Sequence, residues 1–115
     1  MDETYPKSRR IRKRREYDLS FEQGRRIVGR FVIAFVCKGG EDSRLGTVVS
    51  KKWGCAVRRN RIKRLMRESF RKARPFFPFA LNIVLLPKNM PDDVKMNDIM
   101  EDLNAILKRY REREN

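Results

Sequence analysis

Residues 51–72 read KKWGCAVRRNRIKRLMRESFRK, and this stretch decides how the chain folds. It holds ten Lys or Arg residues and a single acidic residue, Glu68. At roughly 100° per residue, its apolar side chains nevertheless fall on one side of a helix. Continued to residue 73, that side consists of Ile62, Leu65, Met66, Ser69, Phe70 and Ala73. A disordered basic tail has no reason to keep an apolar face, so the stretch is predicted to be a helix that packs on one side.

The opposite side of this helix carries a basic stripe. It consists of Asn60, Arg64, Arg67 and Arg71, with Lys63 along one edge and Arg61 and Glu68 along the other. A solvated basic helix normally carries acidic partners three or four residues away. Here Arg67 and Arg71 are like charges at i, i+4, as are Arg64 and Arg67 at i, i+3. Because that arrangement is unfavourable until a negative partner arrives, the stripe favours a polyanion with regularly spaced charge, which indicates nucleic acid.

The composition predicts a single RNA-binding domain, 1–115, with its charge concentrated in the first two thirds. The formal net charge is +14, from 29 basic and 15 acidic residues. Residues 1–74 hold 23 basic and 8 acidic residues, whereas residues 75–115 hold 6 and 7. Such a charge could also serve an anionic membrane surface. However, no apolar stretch approaches the ~18–20 residues of a spanning helix and no signal-peptide pattern opens the chain, so a soluble, cytoplasmic protein is expected.

The sequence offers no active site of its own. Histidine, the commonest neutral-pH general base and zinc ligand, is absent. Cys37 and Cys55 lack the CxxC spacing of a metal or redox site, so packed or incidental thiols are expected. Within residues 1–74, the only carboxylates at helical spacing are Asp18 and Glu22, a weak signal on a charged helix. We therefore expect no catalytic residues and no metal bound by the protein.

The rest of the chain predicts a small mixed fold. The predicted elements are a helix at 14–23 ended by Gly24, strands at 31–37, 45–50 and 80–86, the basic helix stopped by Pro75 and Pro78, and an amphipathic helix over 96–110. Residues 38–43 form a turn, so the second strand returns antiparallel to the first. Residues 1–13 are basic and typical of a flexible arm. This order predicts an α+β fold: a two-layer α–β sandwich with a small mixed sheet and a β-α-β crossover through the basic helix, right-handed by default.

The tract 51–68 resembles the signature of the bacterial ribonuclease P protein component. The resemblance runs in register through Arg59-Asn60-Arg61, Lys63-Arg64 and Arg67-Glu68. Outside the tract it includes Arg10-Ile11, Tyr17, Phe21 and Gly24, which are similar to the family's opening helix, and residues 31–33, similar to its next strand. It covers roughly residues 9–110.

The resemblance implies a protein that binds a large catalytic RNA and promotes removal of the 5′ leader from precursor tRNA. Mg²⁺ would be held mainly by the RNA, no obligate protein partner is expected, and the crossover would be left-handed. Carried over to this sequence, the RNA-binding residues would be Lys51, Lys52, Arg58, Arg59, Asn60, Arg61, Lys63, Arg64, Arg67 and Arg71. The single-stranded leader would lie in a cleft lined by Tyr17, Phe21, Val32 and Ala34, with Asn60 and Lys63 at its edge.

The chain departs from the family at one cleft position. The family usually carries an aromatic residue where Ala34 falls. Phe35 is the nearest aromatic side chain, but strand alternation directs it to the other face. The sequence therefore leaves open whether Phe35 or nothing replaces that aromatic.

Residue types alone leave alternatives open. Tyr17 and Phe21 suit single-stranded RNA, which favours exposed aromatic side chains beside a positive groove, or they form a simple packed pair. Trp53 could stack on a base or pack the corner between strand and helix. The composition also allows a ribosomal or other RNA-binding protein. More weakly, it allows a DNA-binding module that reads a major groove with residues 58–60.

Overall fold

The computed structural model describes residues 10–11, 14–40, 42–77 and 79–114. The elements along these residues are α1 (Arg14–Gln23), β1 (Arg25–Val28), β2 (Val32–Lys38), β3 (Arg44–Thr47), α2 (Ala56–Ala73), β4 (Leu81–Pro87) and α3 (Met96–Glu114). Single 3-10 turns, Lys51–Trp53 and Arg74–Phe76, precede and follow α2. The predicted helices and the three predicted strands are confirmed to within a few residues. Strand β1 was missed, because four residues that begin with two arginines carry almost no strand pattern.

The four strands form one mixed sheet in the order β1-β2-β4-β3. Strand β2 pairs antiparallel with both β1 and β4, and β3 pairs parallel with β4. Strand β3 therefore runs antiparallel to β2 as predicted, but β4 lies between them and the turn before β3 does not close a hairpin. The parallel pair β3 and β4 is joined through α2, which confirms the predicted β-α-β unit. The left hand of this crossover stays a prediction of the resemblance.

One face of the sheet carries the core, and α2 and α3 cover it. The sheet contributes Ile27, Val32, Ala34, Val36, Leu45, Leu81, Ile83 and Leu85, and the helices contribute Ile62, Met66, Phe70, Ala73, Ile99, Leu103, Ile106, Leu107 and Tyr110. The apolar face predicted for α2 is confirmed, since all of its residues are buried except Leu65, which is half-buried. Helix α1 lies on the other face of the sheet, against β2 and β4.

The start of α2 depends on one glycine. Gly54 has φ 110°, in the left-handed region that favours glycine. It links the 3-10 turn at Lys51–Trp53 to the extended residue Cys55, after which α2 begins. The basic residues Lys51 and Lys52 therefore stand directly before the first turn of α2.

A buried carboxylate ties α3 to the turn between β1 and β2. Asp102 is 7% exposed, and its oxygens accept from the backbone N–H groups of Arg30 (2.7 Å), Phe31 (2.9 Å) and Val32 (3.0 Å). A Cβ at Gly29 would lie 2.5 Å from both carboxylate oxygens, so only glycine fits there. The last helix therefore fixes the turn that opens β2.

The arm prediction is wrong at Arg10 and Ile11, and its other residues, 1–9 and 12–13, lie outside the described part of the chain. Arg10 forms a parallel bridge with Leu45, and the backbone N–H of Ile11 donates to the Leu45 carbonyl at 2.9 Å. The Ile11 side chain is buried. These two residues extend the sheet beyond β3 and hold the chain beside α1.

Candidate nucleic-acid interface

Helix α2 presents its basic stripe away from the core, as predicted. Asn60 and Arg64 are exposed, and Arg67 and Arg71 are half-buried. Among the residues that the structure describes, Arg64 makes no hydrogen bond or ion pair. A guanidinium in that position is available to a phosphate group.

Three of the predicted RNA-binding arginines have partners within the protein. Arg71 Nε donates to Glu68 Oε2 at 2.9 Å, one helical turn away. Arg58 Nη2 lies 3.4 Å from the carbonyl oxygen of Met90, and Arg61 Nη2 donates to that of Asp92 at 2.5 Å. The structure thus offsets part of the like-charge repulsion that the sequence predicted, and it holds Arg58 and Arg61 against the loop before α3.

The remaining basic candidates lie at the start of α2. Lys51 and Lys52 are exposed, and Lys52 Nζ lies 5.8 Å from the centre of the Trp53 ring. Trp53 is half-buried and packs against the core, which supports the corner-packing alternative over base stacking. Arg59 is half-buried, and within the described residues its Nε has no hydrogen-bond partner.

The two candidate aromatics of α1 stand on different parts of the sheet. The Tyr17 ring lies on Gly46 of β3, where an added Cβ would approach its Cε1 atom to 2.7 Å. Its hydroxyl is 3.5 Å from the Thr47 carbonyl oxygen, and burial raises the pKa of the phenol despite that contact and the nearby Arg67. Phe21 is 37% exposed and meets the Phe35 ring edge-on, with the ring centroids 4.9 Å apart. Both rings contact the sheet, and both remain partly exposed.

The assignment of Val32 and Ala34 to the cleft is wrong. Both are 0% exposed and point into the core beneath α2 and α3. Because side chains alternate along a strand, the face that meets α1 carries Ile33 and Phe35 instead. Phe35, not Ala34, therefore supplies the aromatic side chain beside Phe21.

The floor of the cleft next to α1 is a row of half-exposed side chains, one from each of three neighbouring strands. Ile33 pairs with Val28 on β1 and with Leu86 on β4, and directly paired residues share a face. All three side chains are half-buried. With Phe21 and Phe35 at its edge, this row forms a half-exposed apolar surface. The sequence predicted Val32 and Ala34 on this face, which is one residue away from the side chains that lie there, Ile33 and Phe35.

Of the α2 residues considered for the leader cleft or the RNA face, only some lie close to α1. Arg67 lines a small cavity together with Tyr17 and Thr47, whereas Asn60 and Lys63 do not line it. Asn60 is exposed and Lys63 half-buried, on the part of α2 that precedes Arg67. The structure therefore joins the basic stripe to Tyr17 through Arg67, which the resemblance assigned only to the RNA face.

No cluster in the described part of the chain could hold a metal ion with three or more His, Cys, Asp or Glu side chains. Cys55 is exposed at the start of α2, where the backbone N–H of Arg58 lowers the pKa of its thiol. Cys37 lies on β2, and burial raises the pKa of its thiol. None of the described helices is both long and apolar enough to cross a bilayer.

A small α+β domain that buries one side of a highly basic helix and exposes the other beside an aromatic-walled cleft has the features of an RNA-binding protein. A sequence model of the family described as Ribonuclease P matches residues 5–111. The ribonuclease P protein component of Thermotoga maritima is 36% identical over 114 residues, which cover 95% of this chain and 97% of that protein. That of Syntrophus aciditrophicus is 40% identical over 105 residues, 90% of this chain and 88% of that protein.

A solved structure of the ribonuclease P protein from Thermotoga maritima superposes with a TM-score of 0.76, at 34% identity, over 87% of this chain and 96% of that one. The chain belongs to the ribonuclease P protein family. It is a subunit of the ribonucleoprotein endoribonuclease that processes tRNA, and the protein is not the catalytic part.

Proposed function

We propose that this chain binds the catalytic RNA of ribonuclease P through α2 and the 5′ leader of precursor tRNA through the cleft between α1 and the sheet. The observation that carries the proposal is the continuity of the two surfaces. Arg67 extends from the basic stripe to the cavity beside Tyr17, so a strand in the cleft would remain within reach of α2. A single surface could then hold both RNAs at once.

The RNA face acts through phosphate contacts. Its candidates are Lys51, Lys52, Arg58, Arg59, Asn60, Arg61, Lys63, Arg64, Arg67 and Arg71. Among the arginines of this set, Arg64 is the strongest candidate, because it is exposed and has no partner among the described residues. Arg71, Arg58 and Arg61 already have partners and contribute as a pre-arranged positive surface rather than as free cations.

The leader cleft acts through stacking. Tyr17, Phe21 and Phe35 provide aromatic faces, and Val28, Ile33 and Leu86 provide the floor. Single-stranded RNA exposes its bases, whereas the paired acceptor stem of mature tRNA does not, so an apolar and aromatic cleft favours the precursor. Asn60 and Lys63 would contact the leader where it leaves the cleft towards α2.

The division of labour follows from these surfaces. The protein binds and positions RNA in the cytoplasm and neutralises phosphate charge, and we infer that Mg²⁺ and the hydrolytic chemistry belong to the RNA. Two RNAs, the catalytic RNA and the precursor tRNA, would be its partners.

The test is Tyr17→Ala in the reconstituted ribonucleoprotein. A base stacked on an aromatic ring contributes roughly 1–3 kcal/mol, so precursor tRNA should bind about 5- to 150-fold more weakly. Mature tRNA, which lacks a leader, should bind as before, and Arg64→Ala should instead weaken binding of the catalytic RNA. Thermal denaturation of the variant is run alongside. Equal loss for both tRNAs together with a lower melting temperature would show that Tyr17 is a packing residue and would refute the cleft assignment.

A further inference from the structure

A groove between α2 and the start of α3 is separate from the leader cleft, which lies beside α1. It has a volume of about 400 Å³ and is lined by Arg61, Arg64, Leu65, Glu68, Val94 and Met96. Arg67, which lines the cavity beside Tyr17, is not among them. The groove therefore runs between α2 and the start of α3, on the opposite flank of the basic stripe.

Its floor is apolar and fixed in place. Val94 belongs to the hydrophobic core, and Leu65 packs partly against that core. Met96, the first residue of α3, is half-buried. Apolar side chains that are anchored below and open above form a surface that a partner can cover at little cost in ordering.

Its rim is charged and partly pre-arranged. Arg61 is held by its bond to the Asp92 carbonyl, and Glu68 by its contact with Arg71 Nε at 2.9 Å. Arg64 stands beside them, with no polar partner in the described part of the chain. Two guanidinium groups and one carboxylate thus stand around an apolar floor.

We propose that this groove binds one unpaired nucleotide of the catalytic RNA, with its base on Leu65 and Met96 and its flanking phosphates at Arg61 and Arg64. The Glu68 carboxylate would accept a hydrogen bond from a base amino group. An RNA strand can contact the apolar floor with a base and the arginines with its phosphates. The arginines would repel a basic peptide, and a purely acidic peptide would gain no contact with the apolar floor. The proposal rests on the function proposed above, and it adds a base-reading contact to a face otherwise assigned to phosphate.

The experiment compares Met96→Ala with a matched control, Met100→Ala. Met100 is also half-buried on α3, one turn along, and does not line the groove. Each variant is titrated with a bacterial ribonuclease P RNA at several salt concentrations. Met96→Ala should bind on the order of tenfold more weakly with an unchanged salt slope, because apolar contact with the base is lost and no phosphate contact is. Met100→Ala should bind like the unaltered protein. Arg64→Ala should lower the slope by roughly 0.7–0.9.

A second measurement tests RNA contact at position 96 directly, in case Met96→Ala is too unstable for its binding to be interpreted. Benzoylphenylalanine placed at position 96 should crosslink to one unpaired nucleotide of the RNA, and at position 100 it should not crosslink there. If Met96→Ala binds normally while Arg64→Ala binds weakly, the groove proposal is wrong and the RNA face stands. If neither weakens binding, the RNA face itself is wrong. Scattered crosslinks, or none, would also overturn the groove site.

Discussion

Replacing Asp102 by alanine should destabilise the protein strongly, because three backbone donors lose their acceptor at once. The N–H of Val32 is buried, and those of Arg30 and Phe31 are partly buried. A hydrogen bond to a charged group contributes about 1.5–3 kcal/mol, and water can replace part of the two outer bonds. The expected loss is therefore about 3–5 kcal/mol of unfolding free energy. At about 4 °C per kcal/mol for a chain of this size, the melting temperature should fall by roughly 10–20 °C.

The assay is urea and thermal unfolding followed by circular dichroism, with Glu101→Ala as the matched control. Glu101 is the exposed neighbour of Asp102 on α3 and carries the same charge. Its replacement should change the unfolding free energy by less than about 0.5 kcal/mol. Asp102→Asn keeps one acceptor oxygen and should fall between the two. If Asp102→Ala and Glu101→Ala unfold within about 1 kcal/mol of each other, the carboxylate does not hold the turn, and the account of how α3 fixes β2 fails.

Three further predictions concern single side chains. Phe70→Ala should cost about 3–5 kcal/mol in urea unfolding, because the ring is 0% exposed; a loss under about 1 kcal/mol would contradict its place in the core. Gly46→Ala should weaken precursor tRNA binding but not mature tRNA binding, because the new methyl group would lie 2.7 Å from Tyr17 Cε1 and displace the ring; an unchanged preference would count against the cleft. Iodoacetamide should alkylate Cys55 at a lower pH than Cys37, because the thiolate is the reactive form and the pKa of Cys55 is lowered while that of Cys37 is raised; the reverse order in mass spectrometry would refute this.

The basic helix was predictable from sequence because its two faces differ in every turn. Apolar residues at a spacing of three and four alternate with arginines, so the pattern allows one orientation only. The partners of Arg58 and Arg61 were not predictable, since they are backbone carbonyls about 30 residues further along the chain. Contacts of that kind leave no periodic signal.

The register of β2 was missed for a physical reason. Residues 31–37 are apolar throughout, on the buried face of the strand that meets the core and also on the half-buried face that meets α1. A strand with apolar side chains on both faces lacks the polar alternation that tells one face from the other. The cleft-facing residue could therefore not be located to better than one position, and in the structure Phe35 rather than Ala34 lies beside Phe21. The order of the strands was not predictable either, since nothing in the sequence of β3 shows that β4 lies between it and β2.

The insertion of β4 between β2 and β3 has a consequence for the nascent chain as it leaves the ribosome. A chain that ends at residue 76 already contains β1, β2, β3 and the basic helix, but neither β2 nor β3 yet has its β4 partner. Its exposed strand edges and the unburied face of α2 are surfaces on which chains aggregate. Only after Leu81–Pro87 emerges can the sheet close, and only α3 completes its cover. We therefore expect the chain to complete its fold only late in synthesis. A chain whose translation stops before β4 should aggregate rather than form a smaller functional domain.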